Sequence, residues 1–213
     1  MSIRLIVVDD HIKVHQGIAA ITDAFDDLEI VGHASNGQEA ISLVNEQMPD
    51  LVLMDVIMPV MNGIEATRRI HALRPDIKVL ALSSFQDADS VREMMNAGAV
   101  GYVLKNASID DLVHTIRAAH SGKIVLSPEA STLLLQPASS PAAPAKTNDF
   151  GLTQREREIL KLVVDGKNNS EIAALLIISL STVKFHVSSI FAKMTVTNRV
   201  EAARMAMEHG LLD

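Results

Sequence analysis

The 213-residue chain contains no cysteine and no tryptophan, one tyrosine and five phenylalanines. Without cysteine there is no disulfide framework, which fits a reducing compartment. No apolar run approaches the roughly 18 residues that a membrane helix needs. The N-terminus runs from Met1 into a strand-like segment without a charged n-region and apolar h-region. These absences read as a soluble, cytoplasmic, unexported protein with no membrane partner. Positive charge is not in excess either. Lys and Arg number 10 against 17 Asp and Glu over residues 1–125, 1 against 1 over 126–148, and 8 against 8 over 149–213. The net charge of −7 therefore belongs to the N-terminal part, and an acidic face suits a cation better than a nucleic acid.

What is present divides the chain. The stretch PASSPAAPAKTN, residues 137–148, holds three of the seven prolines among Ala and Ser, with no large apolar side chain to pack. It reads as an extended linker between two domains. Just before it, IVLSPEASTLLLQ predicts a short helix capped at Ser127 with Pro128 in its first position. The division is thus 1–125, then 126–148 as short helix plus linker, then 149–213.

Within residues 1–125, short apolar runs alternate with amphipathic stretches. Strands are expected at Leu5 to Val8, Leu28 to His33, Leu51 to Met54, Val79 to Leu82 and Val100 to Leu104. Helical patterns fill the gaps, as at Ala66 to Leu73 and Asp110 to Ala119. Five strands, each followed by a helix and apolar on both faces, predict an α/β fold with a doubly wound five-stranded parallel sheet. Ligands bind such sheets beyond the carboxyl ends of the strands, where the strand order reverses.

Those ends carry chemistry. The first strand ends at Asp9-Asp10, the third at Asp55 in LMDVIMP, and the fourth at Ser83-Ser84, while the fifth carries Lys105. Asp after a strand is also common as a turn former or helix cap. Three carboxylates around one pocket repel each other, and an oxygen-preferring cation such as Mg2+ would relieve the repulsion. On this reading Asp55 is compensated by metal and by Lys105. Pro59 and Gly63 fit tight turns around the pocket.

The segments VVDDH, LVLMDVIMPVMNGIEA, VLALSS and AGAVGYVLK, in this order and spacing, closely resemble the receiver domain of two-component response regulators over about residues 1–122. The resemblance implies that Asp55 is the phosphoacceptor and that Asp9 and Asp10 bind Mg2+ with Asp55 and the Ile57 carbonyl. It further implies that Ser83 is the switch hydroxyl beside Ser84, Tyr102 the switch aromatic, and Lys105 the phosphate partner. The phosphodonor would be a histidine kinase. Such a receiver promotes its own Mg2+-dependent phosphorylation without being a turnover enzyme.

The C-terminal part is helical throughout. LTQREREILKLVVDG opens on Thr153 as cap with Glu156 three residues later, a capping box, and stops at Gly166. Asn169 or Ser170 can cap a helix through Leu176, and Ser179 another to about Met194. Two short helices joined by a tight turn, the second bearing Lys184 and His186, suggest a helix-turn-helix. LTQREREIL, EIAALL, STVKFHVSSIFAKM and NRVEAA resemble the LuxR-type four-helix DNA-binding domain, so the whole chain resembles the NarL/FixJ class of response regulators.

That resemblance implies double-stranded DNA as partner and a homodimer on phosphorylation. Lys184, Phe185 and Ser188 would face the major groove, with Thr182, Lys193 and Arg199 at phosphates. Val183, Val187 and Ile190 would be core, and His186 a packed histidine. The fourth helix, Asn198 to His209, would make the dimer contact through Ala202, Ala203 and Ala206. The pattern departs from the class at Ser188, often basic there, and at Leu180 and Ser181, where a polar residue and glycine are usual.

Two other classes remain open on the residues alone. An aspartate-nucleophile phosphohydrolase also attacks phosphorus from a strand end, but it wants a second acid two residues on, where Ile57 stands. A ligand-sensing LuxR-type regulator shares the C-terminal domain, but its pocket is normally rich in the aromatics scarce here.

Overall fold

A computed structural model describes residues 2–84, 88–135, 150–176, 178 and 180–211. The chain forms two compact units, Met1–Pro137 and Ala138–Asp213. The expected linker, 137–148, and the expected cap at Ser179 lie outside the described residues.

The first unit runs β1 (Ile3–Val8), α1 (Ile12–Thr22), β2 (Leu28–Ala34), α2 (Gly37–Gln47), β3 (Leu51–Met54), α3 (Gly63–Leu73), β4 (Lys78–Ser83), α4 (Ala88–Asn96), β5 (Gly101–Leu104), α5 (Ile109–His120), β6 (Val125–Leu126) and α6 (Pro128–Leu135). All strand pairs are parallel, in the order β2-β1-β3-β4-β5-β6. Every residue of β3 and β5 is buried, because helices cover both faces of the sheet. On one face, Leu5, Val7, Leu51, Leu53, Leu80, Leu82 and Val103 pack with Ile18 of α1 and Leu112, Val113 and Ile116 of α5. Alternation turns Ile6, Val52, Met54 and Ala81 to the other face.

The five expected strands and their order-reversing topology are present, with ends within two residues of expectation. The sheet has a sixth strand, a correction to the expected five. Val125 and Leu126 pair with Gly101 and Tyr102. Gly101 makes room for it: a Cβ there would fall 2.4 Å from the Val125 carbonyl oxygen. Ser127 then accepts a hydrogen bond from the Ala130 amide at 3.2 Å, capping α6 as expected.

The second unit holds α7 (Gln154–Val164), α8 (Asn169–Leu176), α9 (Leu180–Met194) and α10 (Arg199–Glu208). Thr153 and Glu156 form the expected capping box. The cap of α8 is Asn168, one residue earlier than expected, its side chain accepting from the Ser170 and Glu171 amides at 3.0 Å. Leu152, Ile159, Leu160, Val163, Ile172, Val183, Val187, Ile190 and Met194 form the core.

Candidate functional site

The sheet order reverses between β1 and β3, whose ends are in register, Val8 opposite Met54. The next residues on the two strands are Asp9 and Asp55. The Asp55 amide donates to the Val8 carbonyl at 2.9 Å, and the Asp9 amide to the Ala34 carbonyl at 3.0 Å. Both carboxylates are thereby fixed at the strand tips, and both are buried, Asp9 1% exposed and Asp55 4%. At the far side β4 and β5 end with Ser83 opposite Leu104, and the Lys105 amide donates to the Ser83 carbonyl at 2.8 Å.

These backbone bonds bring Lys105 over the acids. Its ammonium lies 2.9 Å from Asp55 Oδ2 and also contacts Asp9 Oδ2. The other Asp55 oxygen, Oδ1, accepts from the Val56 amide at 2.8 Å. Burial pushes the Asp55 carboxyl up to about 6; Lys105 opposes the shift and the Asp9 charge adds to it. Burial works against the Lys105 charge too, but the Asp55 charge and the bonds to both carboxylates outweigh it and raise the ammonium pKa. One ammonium therefore leaves one of the two buried carboxylate charges unbalanced.

Oxygen donors for a cation are at hand. Ligand atoms of Asp9, Asp10, His11 and Asp55 all lie within 4.8 Å of one another, an arrangement compatible with a metal site. His11 had no role in the sequence reading. Its amide donates to Asp9 Oδ1 at 2.9 Å, and its ring Nδ1 lies 2.7 Å from Asp10 Oδ1. The only signal in the sequence was its place after the acid pair in VVDDH. Ile57 is half-buried in the loop after β3, Ser83 and Tyr102 are buried on adjacent strands, and Ser84 is exposed in a bend.

Gly63 is set by this site. It begins α3, whose cap Asn62 accepts from the Glu65 amide at 2.9 Å, and its own amide donates to the Val56 carbonyl at 3.0 Å. A Cβ on Gly63 would fall 1.9 Å from the Asp55 carbonyl oxygen. Backbone cannot yield as a side chain can. Gly63→Ala is expected to destabilise the first unit by about 3 kcal/mol, near the top of the ordinary range, in urea unfolding. Unchanged unfolding would show that the loop yields freely.

In the second unit the structure separates residues that the sequence reading grouped. Lys184 and Ser188 on α9 are exposed. Phe185 is only 3% exposed, a correction to its expected place in the groove, and its ring meets the edge of the buried His186 at 5.2 Å. Thr182 is buried as well. Lys193 pairs with the buried Glu156 at 2.8 Å, and Ser189 donates to the same carboxylate at 2.5 Å. This ion pair holds the Lys193 ammonium against its own domain and offsets the buried carboxylate. Arg199 is likewise engaged, with the Lys167 carbonyl and, at 3.3 Å, with Asn169 Oδ1.

The expected dimer face is corrected too. Ala202 and Ala206 are fully buried in their own domain and Ala203 half-buried. Small side chains let α10 pack closely on α7 and α9. The exposed apolar residues of α10 are Val200 and Met207.

Among known proteins, residues 5–117 match the response regulator receiver domain family, and residues 151–206 match the luxR family of bacterial regulatory proteins. The chain is 39% identical over 212 residues to the response regulator protein VraR of Staphylococcus aureus, covering 100% of both. It is 38% identical over 211 residues to the transcriptional regulatory protein LiaR of Bacillus subtilis, covering 99% of this chain and 100% of LiaR. The crystal structure of the response regulator ChrA, from a heme-sensing two-component system, matches with a TM-score of 0.54 and 35% identity over 99% of this chain and 98% of ChrA. RcsB in a DNA complex shares the fold, with a TM-score of 0.61 at 22% identity over 97% of this chain and 98% of RcsB. The chain belongs to the two-component response regulators that join a receiver domain to a LuxR-type helix-turn-helix domain. Among the described residues no helix is long and apolar enough to cross a membrane.

Proposed function

We propose that Asp55 accepts a phosphoryl group from a histidine kinase and that its phosphorylation drives dimerisation and sequence-specific DNA binding. Residues 1–125 would receive the signal, 126–148 connect, and 149–213 bind DNA, in the cytoplasm. The convergence of Asp9, Asp55 and Lys105 at the sheet's reversal point carries this reading. A carboxylate attacking a phosphohistidine phosphorus forms an acyl-phosphate bond as the P–N bond breaks, and needs alignment and charge neutralisation more than a base. With its carboxyl at about 6, Asp55 is mostly ionised, and so nucleophilic, at neutral pH. Lys105, already on Asp55 Oδ2, would hold a phosphoryl oxygen, and the Ser83 hydroxyl another, with Ser84 beside it. Movement of the β4 end toward the phosphoryl group would let Tyr102, on the next strand, repack.

The donor set fits Mg2+: Asp9, Asp10 and Asp55 would supply hard carboxylate oxygens and Ile57 its carbonyl. When bound, Mg2+ would neutralise charge on the phosphoryl oxygens during transfer. Transfer would leave a phosphorylated protein rather than a released product, so the chain acts as a regulator and not as a turnover enzyme.

For DNA, the outward stripe of α9 is Lys184, Ser188 and Ala192, spaced four residues apart. The dimer contact would use Val200 and Met207, on one side of α10 with Ala203 between them. The second domain has 8 positive and 8 negative side chains, so phosphate attraction alone is weak and affinity depends on pairing two domains. A gel-shift titration tests this on DNA with one or two half-sites obtained by in vitro selection. Phosphorylation should tighten binding roughly tenfold or more on paired half-sites and little on one. Equal tightening on both would instead favour release of a masked recognition helix.

A further inference from the structure

Behind the acid cluster is a histidine pair that phosphoryl transfer does not use. His15, on α1, is 9% exposed, and its Nε2 lies 2.7 Å from the Asp9 carbonyl oxygen. Its Nδ1 lies 2.9 Å from Nδ1 of His33, on β2. A carbonyl only accepts, so a neutral His15 carries its proton on Nε2, and its Nδ1 presents a lone pair to His33. His33 must then donate its Nδ1 proton across the gap. Moving that proton to His33 Nε2 would leave two lone pairs aimed into one space, which only a cation can share.

We propose that His15 and His33 form a binding site for a divalent transition-metal ion of the imidazole-preferring kind, such as Zn2+, separate from the oxygen-donor site at Asp55. Metal–nitrogen bonds of about 2.0–2.1 Å at a tetrahedral angle place two ligand nitrogens roughly 3.3 Å apart. The pair reaches that spacing with a shift of a few tenths of an ångström. His15 is already oriented as metal-bound histidines are, its second ring nitrogen held by a backbone carbonyl. His33 is largely exposed, yet the desolvation its ring does undergo holds its pKa below the usual histidine range, so the ring is available as a neutral ligand.

The pair also opens on space. A cavity of about 410 Å3 adjoins both rings, with Gln16, Ser35 and Glu39 in its wall, large enough for the waters that complete a coordination shell. Glu39 accepts from the Ser35 amide at 2.8 Å and hydroxyl at 2.7 Å, so it is anchored as a carboxylate beside the histidines. Nitrogen donors select Zn2+, Cu2+ or Ni2+, whereas carboxylate and carbonyl oxygens select Mg2+. One chain would thus sort two cations by donor type. The His15 site is tied to the acid cluster through the Asp9 backbone, yet it stands whether or not Asp55 is phosphorylated.

The test is a calorimetric titration of the untagged full chain with Zn2+ in excess Mg2+, comparing wild type with His33→Gln and His15→Gln. His33 is exposed, so His33→Gln should fold normally and keep its phosphorylation. It is expected to lose one Zn2+ site or weaken it roughly 10-fold or more. In long-range 1H–15N spectra of the wild type, the Nδ1 signals of both rings should shift on Zn2+ addition, a readout that holds even if His15→Gln fails to fold. Equal Zn2+ stoichiometry and affinity in His33→Gln, or imidazole signals of His15 and His33 that ignore Zn2+, would overturn the proposal.

Discussion

Asp55→Asn is expected to take up no phosphoryl group. After incubation with acetyl phosphate and Mg2+, intact-mass analysis should show one adduct on the wild type and none on the variant. Asp55 is the carboxylate at the tip of β3, aligned by the Val8 carbonyl and the Val56 amide and touched by Lys105. Asn preserves shape but cannot attack phosphorus as a carboxylate does. Asp9 is equally buried, but with its amide on Ala34 it belongs to the next strand tip and should not substitute. An unchanged adduct on Asp55→Asn would remove it from the phosphoacceptor role.

The same variant should be more stable than the wild type, for an electrostatic reason with a definite sign. The folded carboxyl, at about 6, lies above its ordinary 3.8, so the folded state binds the Asp55 proton more tightly than the unfolded state does. Folding stability attributable to this group is therefore greatest below pH 4 and is lost as pH rises from 4 to 6. About two pKa units amount to about 3 kcal/mol at pH 8, where the ionised, buried carboxylate is most costly. In chelator, Asp55→Asn should show that gain at pH 8 and none below pH 4, in thermal melts read by circular dichroism. Added Mg2+ should then stabilise the wild type more than the variant, since the ion binds the ionised form. A pH-independent difference between the two proteins would mean that packing, not charge, distinguishes them.

Much of this site was legible because its elements obey short periods. Leu51 to Met54 is apolar at every residue and, at four residues, fits a buried strand; Asp55 after it then falls at the strand's carboxyl end, where parallel topology gathers ligands. His11 was hidden because an exposed histidine has no pattern of its own, and the Val125–Leu126 strand because two residues carry no alternation. The second domain was read less well, for one geometric reason. A surface helix buries one stripe, but α9 packs against α7, α8 and α10 together, so its buried arc extends past Val183, Val187 and Ile190 to take in Thr182, Phe185, His186 and Ser189. Likewise Ala202 and Ala206 look like a contact face for a partner only until the closeness of α7 is known. Glu156 has two jobs, capping Thr153 and receiving Ser189 and Lys193, and only the first is local in sequence.

That geometry makes Lys184 and Phe185, neighbours in sequence, fail in opposite ways. Lys184→Ala removes an exposed ammonium on the outward stripe of α9 and should leave the melting temperature of the second domain unchanged. Its effect should appear in DNA binding. A lysine reaching a guanine edge contributes about 1–3 kcal/mol, so affinity for the selected site should fall roughly 5- to 150-fold and discrimination should relax at one base pair. If the ammonium meets phosphate instead, binding should weaken evenly across sequences and the salt dependence should flatten by about one ion. Phe185→Ala should instead cost about 3–5 kcal/mol of stability, as for other buried phenylalanines, through the lost contact with His186 and the space left behind. Its DNA affinity, measured at a temperature where the domain remains folded, should change less than that of Lys184→Ala. Urea unfolding and gel-shift titration of both variants decide the matter: a Phe185→Ala domain of unaltered stability that no longer recognises its site would return Phe185 to the groove.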